Sequence, residues 1–125
     1  MFPKNHTGNA DRNVFGTRLR HVREQRGMAQ EKLGVLIGID ESASRARISR
    51  YETGVHEPPI GTARLLARAL NVPLAYLYCD DDETADLLLK LAALPVAKKE
   101  SGFVAIKRAI TEIKTSSDEA RFEEG

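Results

Sequence analysis

The sequence lacks several features that mark membrane or secreted proteins. It contains no run of about 18 apolar residues, the length that a membrane-spanning helix needs. Its single cysteine, Cys79, excludes an intrachain disulfide, which fits a reducing compartment. The first residues, MFPKNHTGNADRN, lack the apolar stretch of a signal peptide. We therefore expect a cytoplasmic protein.

Residue patterns that carry catalysis or hold a metal are also missing. The sequence has no Gly-rich phosphate loop and no recognisable pairing of a nucleophile with a base. The three histidines and the one cysteine are scattered, unlike the closely spaced ligands of a zinc site. We accordingly predict a protein that is not an enzyme, with no catalytic residues, no metal and no other cofactor.

The charge of the chain is unevenly distributed, although the net charge is only +1. Residues 1–79 hold 12 Lys and Arg against 7 Asp and Glu, whereas residues 80–125 hold 7 against 11. Lys4 and Lys32 are the lysines of the basic half; its other cations are arginines, which suit bidentate contacts with phosphate and guanine. The asymmetry suggests a basic working surface and an acidic appendage, although surface solvation explains charge alone equally well.

Helical periodicity dominates the sequence, and alternating β-branched runs are missing. After an arm at residues 1–12, predicted to be flexible, we expect five helices, at residues 14–26, 29–38, 45–53, 61–70 and 72–78. A sixth helix should follow the acidic CDDDE segment and end at Pro95, and a last one should span Ala97 to Lys114. Beyond Thr115 we expect disorder.

The segment SRARISRYETG, residues 44–54, places three arginines within six residues. Ile48 and Tyr51, three residues apart, are predicted to face the core, which leaves Arg45, Arg47 and Arg50 on the outer side. Gly54 should end the helix in a left-handed conformation. Two helices joined by a short turn, the second with exposed arginines, can place one helix in a DNA major groove.

Residues 15–77 resemble the Cro/C1-type helix-turn-helix family, also called the XRE family. The matching motifs are RG-M-x-Q, L-x-x-x-I-G-I, I-S-R-Y-E-x-G, a proline before the fourth helix and A-L-N-V-P, in this order. The resemblance implies an all-α, five-helix, lambda-repressor-like DNA-binding domain at residues 13–79. It also implies a sequence-specific regulator of transcription, expected to be a repressor, that binds double-stranded DNA as a homodimer at a two-fold symmetric operator.

The resemblance further implies roles for individual residues. The base-reading positions of the third helix are Arg45, Ala46, Arg47 and Arg50. Gln30 matches a phosphate-contacting position. The chemistry of their side chains, rather than the resemblance, makes Ser44, Ser49, Arg18 and Arg20 further candidates for phosphate contact. Arg23 and Glu52 match a structural pair between the first and third helices, and Gly34 matches a small residue where helices two and three pack closely.

The chain departs from the family pattern between the second and third helices. Eight residues separate Ile39 from Ile48, more than is usual in the family, because DESAS is inserted there. We therefore expect a longer turn, with Ser42 or Ser44 as the N-cap of the third helix. Asp40 and Glu41 would then place negative charge near the DNA.

Residues 80–114 are predicted to form a helical extension whose partner the sequence leaves open. The segment Leu87–Leu94 is apolar over more than one helix face, so it either caps the five-helix core or pairs with a second subunit; we favour dimerisation. The acidic half and an apolar stripe formed by Phe103, Ile106, Ile110 and Ile113 indicate an alternative. In that alternative the chain is an antitoxin or another protein-binding module whose C-terminal segment binds a protein partner.

Overall fold

The computed structural model describes the backbone of residues 13–124 and the side chains of residues 13–118. Every regular element of this range is an α-helix, which confirms the predicted all-α class. The helices are α1 (Val14–Gln25), α2 (Gln30–Leu36), α3 (Glu41–Thr53), α4 (Ile60–Leu70), α5 (Leu74–Tyr78), α6 (Asp82–Ala92) and α7 (Val96–Glu124). They divide into one unit ending at Ala92 and a second beginning at Ala93. The predicted N-terminal arm lies outside the described residues.

The core of the first unit is formed by the apolar stripes of its helices. The apolar residues of α1 and of α4 recur at helical spacing, and both sets are buried. The residues of this core are Phe15, Leu19, Val22, Leu33, Ile48, Tyr51, Ala63, Leu66, Ala67, Leu70, Val72, Tyr76, Leu77 and Ala85. Leu36, although apolar, is 54% exposed because it lies on the outer side of the short helix α2.

The ends of α1 and α4 follow from local sequence chemistry. The side-chain oxygen of Asn13 accepts a hydrogen bond of 3.0 Å from the backbone N–H of Gly16, which caps the first turn of α1. Beyond the other end of α1, Gly27 has φ +64°, a left-handed conformation that glycine adopts without steric cost. Asn71, at φ 56°, is the left-handed C-cap of α4 that the sequence indicates.

Helices α2 and α3 cross at close range where Gly34 meets Ser44. A Cβ at Gly34 would lie only 1.8 Å from the Oγ of Ser44 and 2.8 Å from its Cβ. Ser44 is fully buried there, and its hydroxyl donates a hydrogen bond of 2.6 Å to the carbonyl of Glu31. The hydroxyl therefore satisfies a carbonyl of α2 without leaving space for a side chain at position 34.

The sequence predicts that the inserted DESAS segment lengthens the turn between α2 and α3. In the structure it lengthens the third helix instead. Helix α3 begins at Glu41, and Asp40 is its N-cap, accepting 3.0 Å from the N–H of Ser42. The predicted caps Ser42 and Ser44 therefore lie inside the helix. Hydrogen bonds from the side chain and backbone of Ser42 lower the pKa of Asp40. Gly54, at φ +81°, ends the helix as predicted.

The boundary between the units lies at residue 92 rather than at 79, because α6 packs on the core of the first unit. Ala85 is 1% exposed, and Leu88 and Leu89 pack against the same core, whereas Leu87 is exposed. The segment Leu87–Leu94 therefore contributes in part to capping the core.

The second unit contains α7, which is longer than predicted. It begins at Val96 and continues to Glu124, ten residues beyond Lys114, where the sequence predicts its end. Gly102 does not interrupt the helix. A Cβ at that position would lie 2.6 Å from Cδ1 of Leu94, so the glycine leaves space for the preceding turn.

Candidate nucleic-acid interface

Helix α3 has one buried face and one exposed face. Its buried residues are Ser44, Ile48, Tyr51 and Glu52. Arg45, Ala46, Arg47 and Arg50 are all exposed. With about 100° per residue, Ala46 and Arg50 lie near the centre of the exposed face, and Arg45 and Arg47 lie on its opposite flanks. Within residues 13–118, none of the three arginines forms an ion pair with another described residue.

A polar cleft runs along the Arg45 flank of α3. It has a volume of about 510 Å³. Helices α1, α2 and α3 and the turn before α2 contribute its lining residues, which are Arg20, Arg23, Ala29, Gln30, Glu31, Arg45, Ser49, Glu52 and Thr53. Predicted phosphate-contacting residues from three helices, Arg20, Gln30 and Ser49, therefore meet beside a predicted base-reading residue.

Glu52 anchors α3 to both preceding helices. Its carboxylate accepts hydrogen bonds from Nε and Nη2 of Arg23 at 2.5 and 3.1 Å. The amide of Gln30 donates to the same carboxylate at 2.9 Å. Arg23 also donates to the carbonyl of Met28 at 2.7 Å, which holds the turn between α1 and α2. The contact with Glu52 raises the pKa of Arg23 above its ordinary value.

Asn13 extends this anchor to the C-terminal end of α3. Its amide donates 2.6 Å to the backbone carbonyl of Glu52, while its oxygen caps α1. Gly16 lies against the same turn, since a Cβ there would lie 2.3 Å from the Glu52 carbonyl oxygen. Sequence reasoning missed this role, although the N-cap preference of asparagine could have indicated half of it.

Two of the residues predicted to contact phosphate, Arg18 and Ser44, are engaged within the domain. Arg18 has a side chain only 12% exposed and donates 2.8 Å to the carbonyl of Cys79 and 2.9 Å to Asp82. Its guanidinium also lies 5.9 Å from the ring centre of Tyr76. It is thus a structural link between α1 and the start of α6. Ser44 is buried at the Gly34 crossing, so its hydroxyl does not reach the surface.

Arg20 and Ser49 occupy more accessible positions. The side chain of Arg20 is 64% exposed and forms an i,i+4 ion pair with Glu24 at 3.2 Å. Ser49 is half-buried at the edge of the cleft, and its carbonyl accepts 3.0 Å from Thr53 Oγ1. Thr53 was not among the predicted site residues; its position four residues after Ser49 on the same helix face was the available signal.

No helix in the described part of the chain is long and apolar enough to cross a membrane. The described residues also place no three His, Cys, Asp or Glu side chains where they could hold a metal ion.

The buried anchoring of α3 against α1 and α2, with its arginine-bearing face exposed, defines a helix-turn-helix DNA-binding protein. A helix-turn-helix family model matches residues 19–77, which include α2 and α3. The chain belongs to the Cro/C1-type helix-turn-helix family and is a DNA-binding regulator of transcription with a lambda-repressor-like fold.

Similar proteins carry corresponding names. The cryptic phage CTXphi transcriptional repressor RstR of Vibrio cholerae is 27% identical over 87% of this chain and 99% of its own length. An uncharacterized HTH-type transcriptional regulator of Sinorhizobium medicae (strain WSM419) is 37% identical over 52% of this chain and 44% of its own. The crystal structure of the transcriptional regulator BswR superposes with a TM-score of 0.67 at 42% identity, over 74% of this chain and 92% of that one.

Proposed function

We propose that the protein is a sequence-specific repressor of transcription that inserts α3 into the major groove of its operator. The observation that supports this most directly is the exposed face of α3. Its arginines have no ionic partner among the described residues, while the opposite face is held by the Glu52 anchor. Such a helix can enter a groove without rearranging the domain.

Within the proposed complex, Arg47 and Arg50 read guanine. A guanidinium can donate to both O6 and N7 of guanine, a contact worth about 1–3 kcal/mol of discrimination against the wrong base. Ala46, next to Arg50 near the centre of the exposed face, contacts a thymine methyl group. Arg45 lies on the cleft side and contacts a base edge in the neighbouring step.

Phosphate contacts border the proposed groove along the cleft. Gln30 is oriented by Glu52, which accepts one N–H of its side-chain amide and leaves the second N–H to donate to a phosphate oxygen. Ser49 and Arg20 lie along the same cleft and supply a hydroxyl and a cation for the DNA backbone. These contacts would set the register of α3 without reading sequence.

The homodimer and the two-fold operator are part of the same proposal. A single recognition helix contacts too few base pairs to specify a site, and a two-fold dimer doubles the contacts. The repressor assignment is supported by the relative from Vibrio cholerae, whose printed name states that role. We propose cytoplasmic action, since the DNA target lies there.

Site selection with the purified full chain tests this function. An operator obtained from randomised duplexes would be bound by the wild type and by Arg68→Ala, a control at an exposed arginine of α4. Arg47→Ala and Arg50→Ala should each lose about ten- to hundredfold in affinity for that operator, measured by fluorescence anisotropy, with an unchanged thermal transition. Normal operator binding by both variants would show that α3 does not read the DNA.

The second candidate function is binding of a protein partner, as in an antitoxin. The exposed apolar side chains of α7, including Phe103, Val104 and Ile110, favour it. A stoichiometric partner that copurifies with the full chain and is lost on truncation at Pro95 would support this function. DNA binding by the first unit is compatible with either outcome.

A further inference from the structure

Helix α7 carries an apolar seam that no described residue covers fully. Phe103, Ile106, Ile110 and Ile113 follow one another at spacings of three, four and three residues. Phe103, Ile110 and Ile113 are 45%, 59% and 69% exposed. Alternating spacings of three and four residues are those of a two-helix coiled coil, in which each helix buries the seam of the other. We call these four residues the α7 seam.

We propose that the α7 seam pairs with the same seam of a second copy of the chain, in antiparallel orientation. This inference rests on the homodimer proposed above and adds its location and direction. Phe103 would pack against Ile113 of the partner subunit, and Ile106 against Ile110 of the partner subunit. The two-fold axis would pass beside residue 108, and all four apolar side chains would be buried.

The charges that flank the seam favour the antiparallel direction. Glu100, Lys107 and Lys114 lie on one flank at intervals of seven residues, and all three are exposed. In antiparallel coiled coils this flank faces its own copy. Glu100 would therefore face Lys114 of the partner subunit, twice in each dimer. Lys107 would meet its own copy at the axis, where a long side chain can extend into water.

The other flank consists of the small, uncharged residues Gly102, Ala109 and Ser116. In a parallel pair this flank would face the charged one, so Glu100 would have no cation opposite it. A parallel pair would also place Lys99, which continues the seam, in one layer with its own copy. The antiparallel pair places Lys99 opposite Ser117 of the partner subunit and so avoids this repulsion.

Charge reversal on the full chain tests the contact without DNA. Sedimentation measurements should give a dissociation constant for the wild-type dimer, and Glu100→Lys or Lys114→Glu should each raise it about tenfold. The double reversal should return it close to the wild-type value, because the pair is restored with exchanged signs. Lys98→Glu, on the exposed side of α7 away from the seam, is the matched control and should change the constant little.

Spin labels test the direction separately. A nitroxide at Ser116→Cys, in a Cys79→Ser background, would be displaced from its copy by roughly 20–25 Å along the helix axis in the antiparallel dimer. In a parallel dimer both labels would lie at one level. Any of three results would overturn the proposal. The wild type could be a monomer at micromolar concentration, the double reversal could have a dissociation constant as high as that of the single ones, or the two labels could lie at one level along the helix axis.

The proposed DNA contact can fail independently of this seam. Sedimentation requires no operator, so a dimer with the expected charge response stands even if Arg47 and Arg50 prove irrelevant. Conversely, loss of the dimer leaves the dependence of DNA affinity on Arg50 measurable at a single half-site. A wild-type chain that is monomeric alone and associates only with another protein would favour the second candidate function instead.

Discussion

The Nε of Arg23 lies 2.5 Å from Oε2 of Glu52, and the two side chains are 11% and 3% exposed. This ion pair links α1 to α3 behind the proposed DNA-reading face. Because Gln30 shares the same carboxylate, the position of α2 depends on it as well.

Glu52→Gln should destabilise the protein by about 2–4 kcal/mol, because it leaves the partly buried Arg23 without its counter-charge. Urea unfolding measures the loss. Glu24→Gln is the matched control: it removes an exposed ion pair with Arg20 and should change stability by less than about 1 kcal/mol. Equal effects of the two substitutions would contradict the anchoring role of Glu52.

Gly34→Ala should destabilise by about 1–3 kcal/mol through overpacking against Ser44, despite the better helix propensity of alanine. Gly61→Ala is the control, because a Cβ in α4 at that position meets no atom within 4 Å. It should be neutral or stabilising by up to about 1 kcal/mol. A stabilised Gly34→Ala variant in thermal unfolding would show that α2 and α3 can separate without cost.

Arg18→Ala and Arg20→Ala should separate stability from DNA binding. Arg18→Ala removes the hydrogen bonds that Arg18 donates to the Cys79 carbonyl and to Asp82, so we expect a loss of about 1–3 kcal/mol in unfolding free energy. Arg20→Ala should leave stability nearly unchanged. It should instead reduce the slope of log affinity against log salt by about 1, as expected for one lost phosphate contact. A lower unfolding free energy in Arg20→Ala and a smaller salt slope in Arg18→Ala would refute the roles given to these two arginines.

The N-cap carboxylate of α3 should make stability depend on pH. Hydrogen bonds from Ser42 hold the pKa of Asp40 below its ordinary value in the folded protein. Its contribution is therefore present at pH values above the unfolded pKa and is lost as the pH falls through the folded pKa. The difference in Tm between the wild type and Asp40→Asn should shrink on going from pH 7 to pH 3. A difference that stays constant would exclude this contribution.

Much of the first unit could be predicted from the sequence, because its helices carry local signals. Gly27, Gly54 and Asn71 mark helix ends through their tolerance of positive φ, and they do so in the structure. The buried stripe of α4 follows from apolar spacing alone. The ion pair of Arg23 with Glu52 could be expected only through the family resemblance, since 29 residues separate the partners.

The start of α3 was harder to predict, because two local readings compete there. Ser42 and Ser44 are good N-cap residues, yet Asp40 caps the helix. The inserted segment adds about one helical turn, so Ser44 falls on the same face as Ile48 and is buried with it. Whether an inserted segment extends a helix or a turn depends on tertiary packing, and here Ser44 packs against Gly34 of α2.

The sequence by itself determined the helical class, the helix-ending glycines and the family to which the chain belongs, because periodicity, backbone preference and motif order are local properties. Only the tertiary structure decided which arginine side chains of α1 stay exposed and which are bound within the domain. Arg18 and Arg20 are two residues apart on one helix, but only Arg18 faces the start of α6, where Asp82 and the Cys79 carbonyl bind it. The helical pattern separates the two side chains by about 200° around the axis, and only the packing of a distant segment shows which of them it covers.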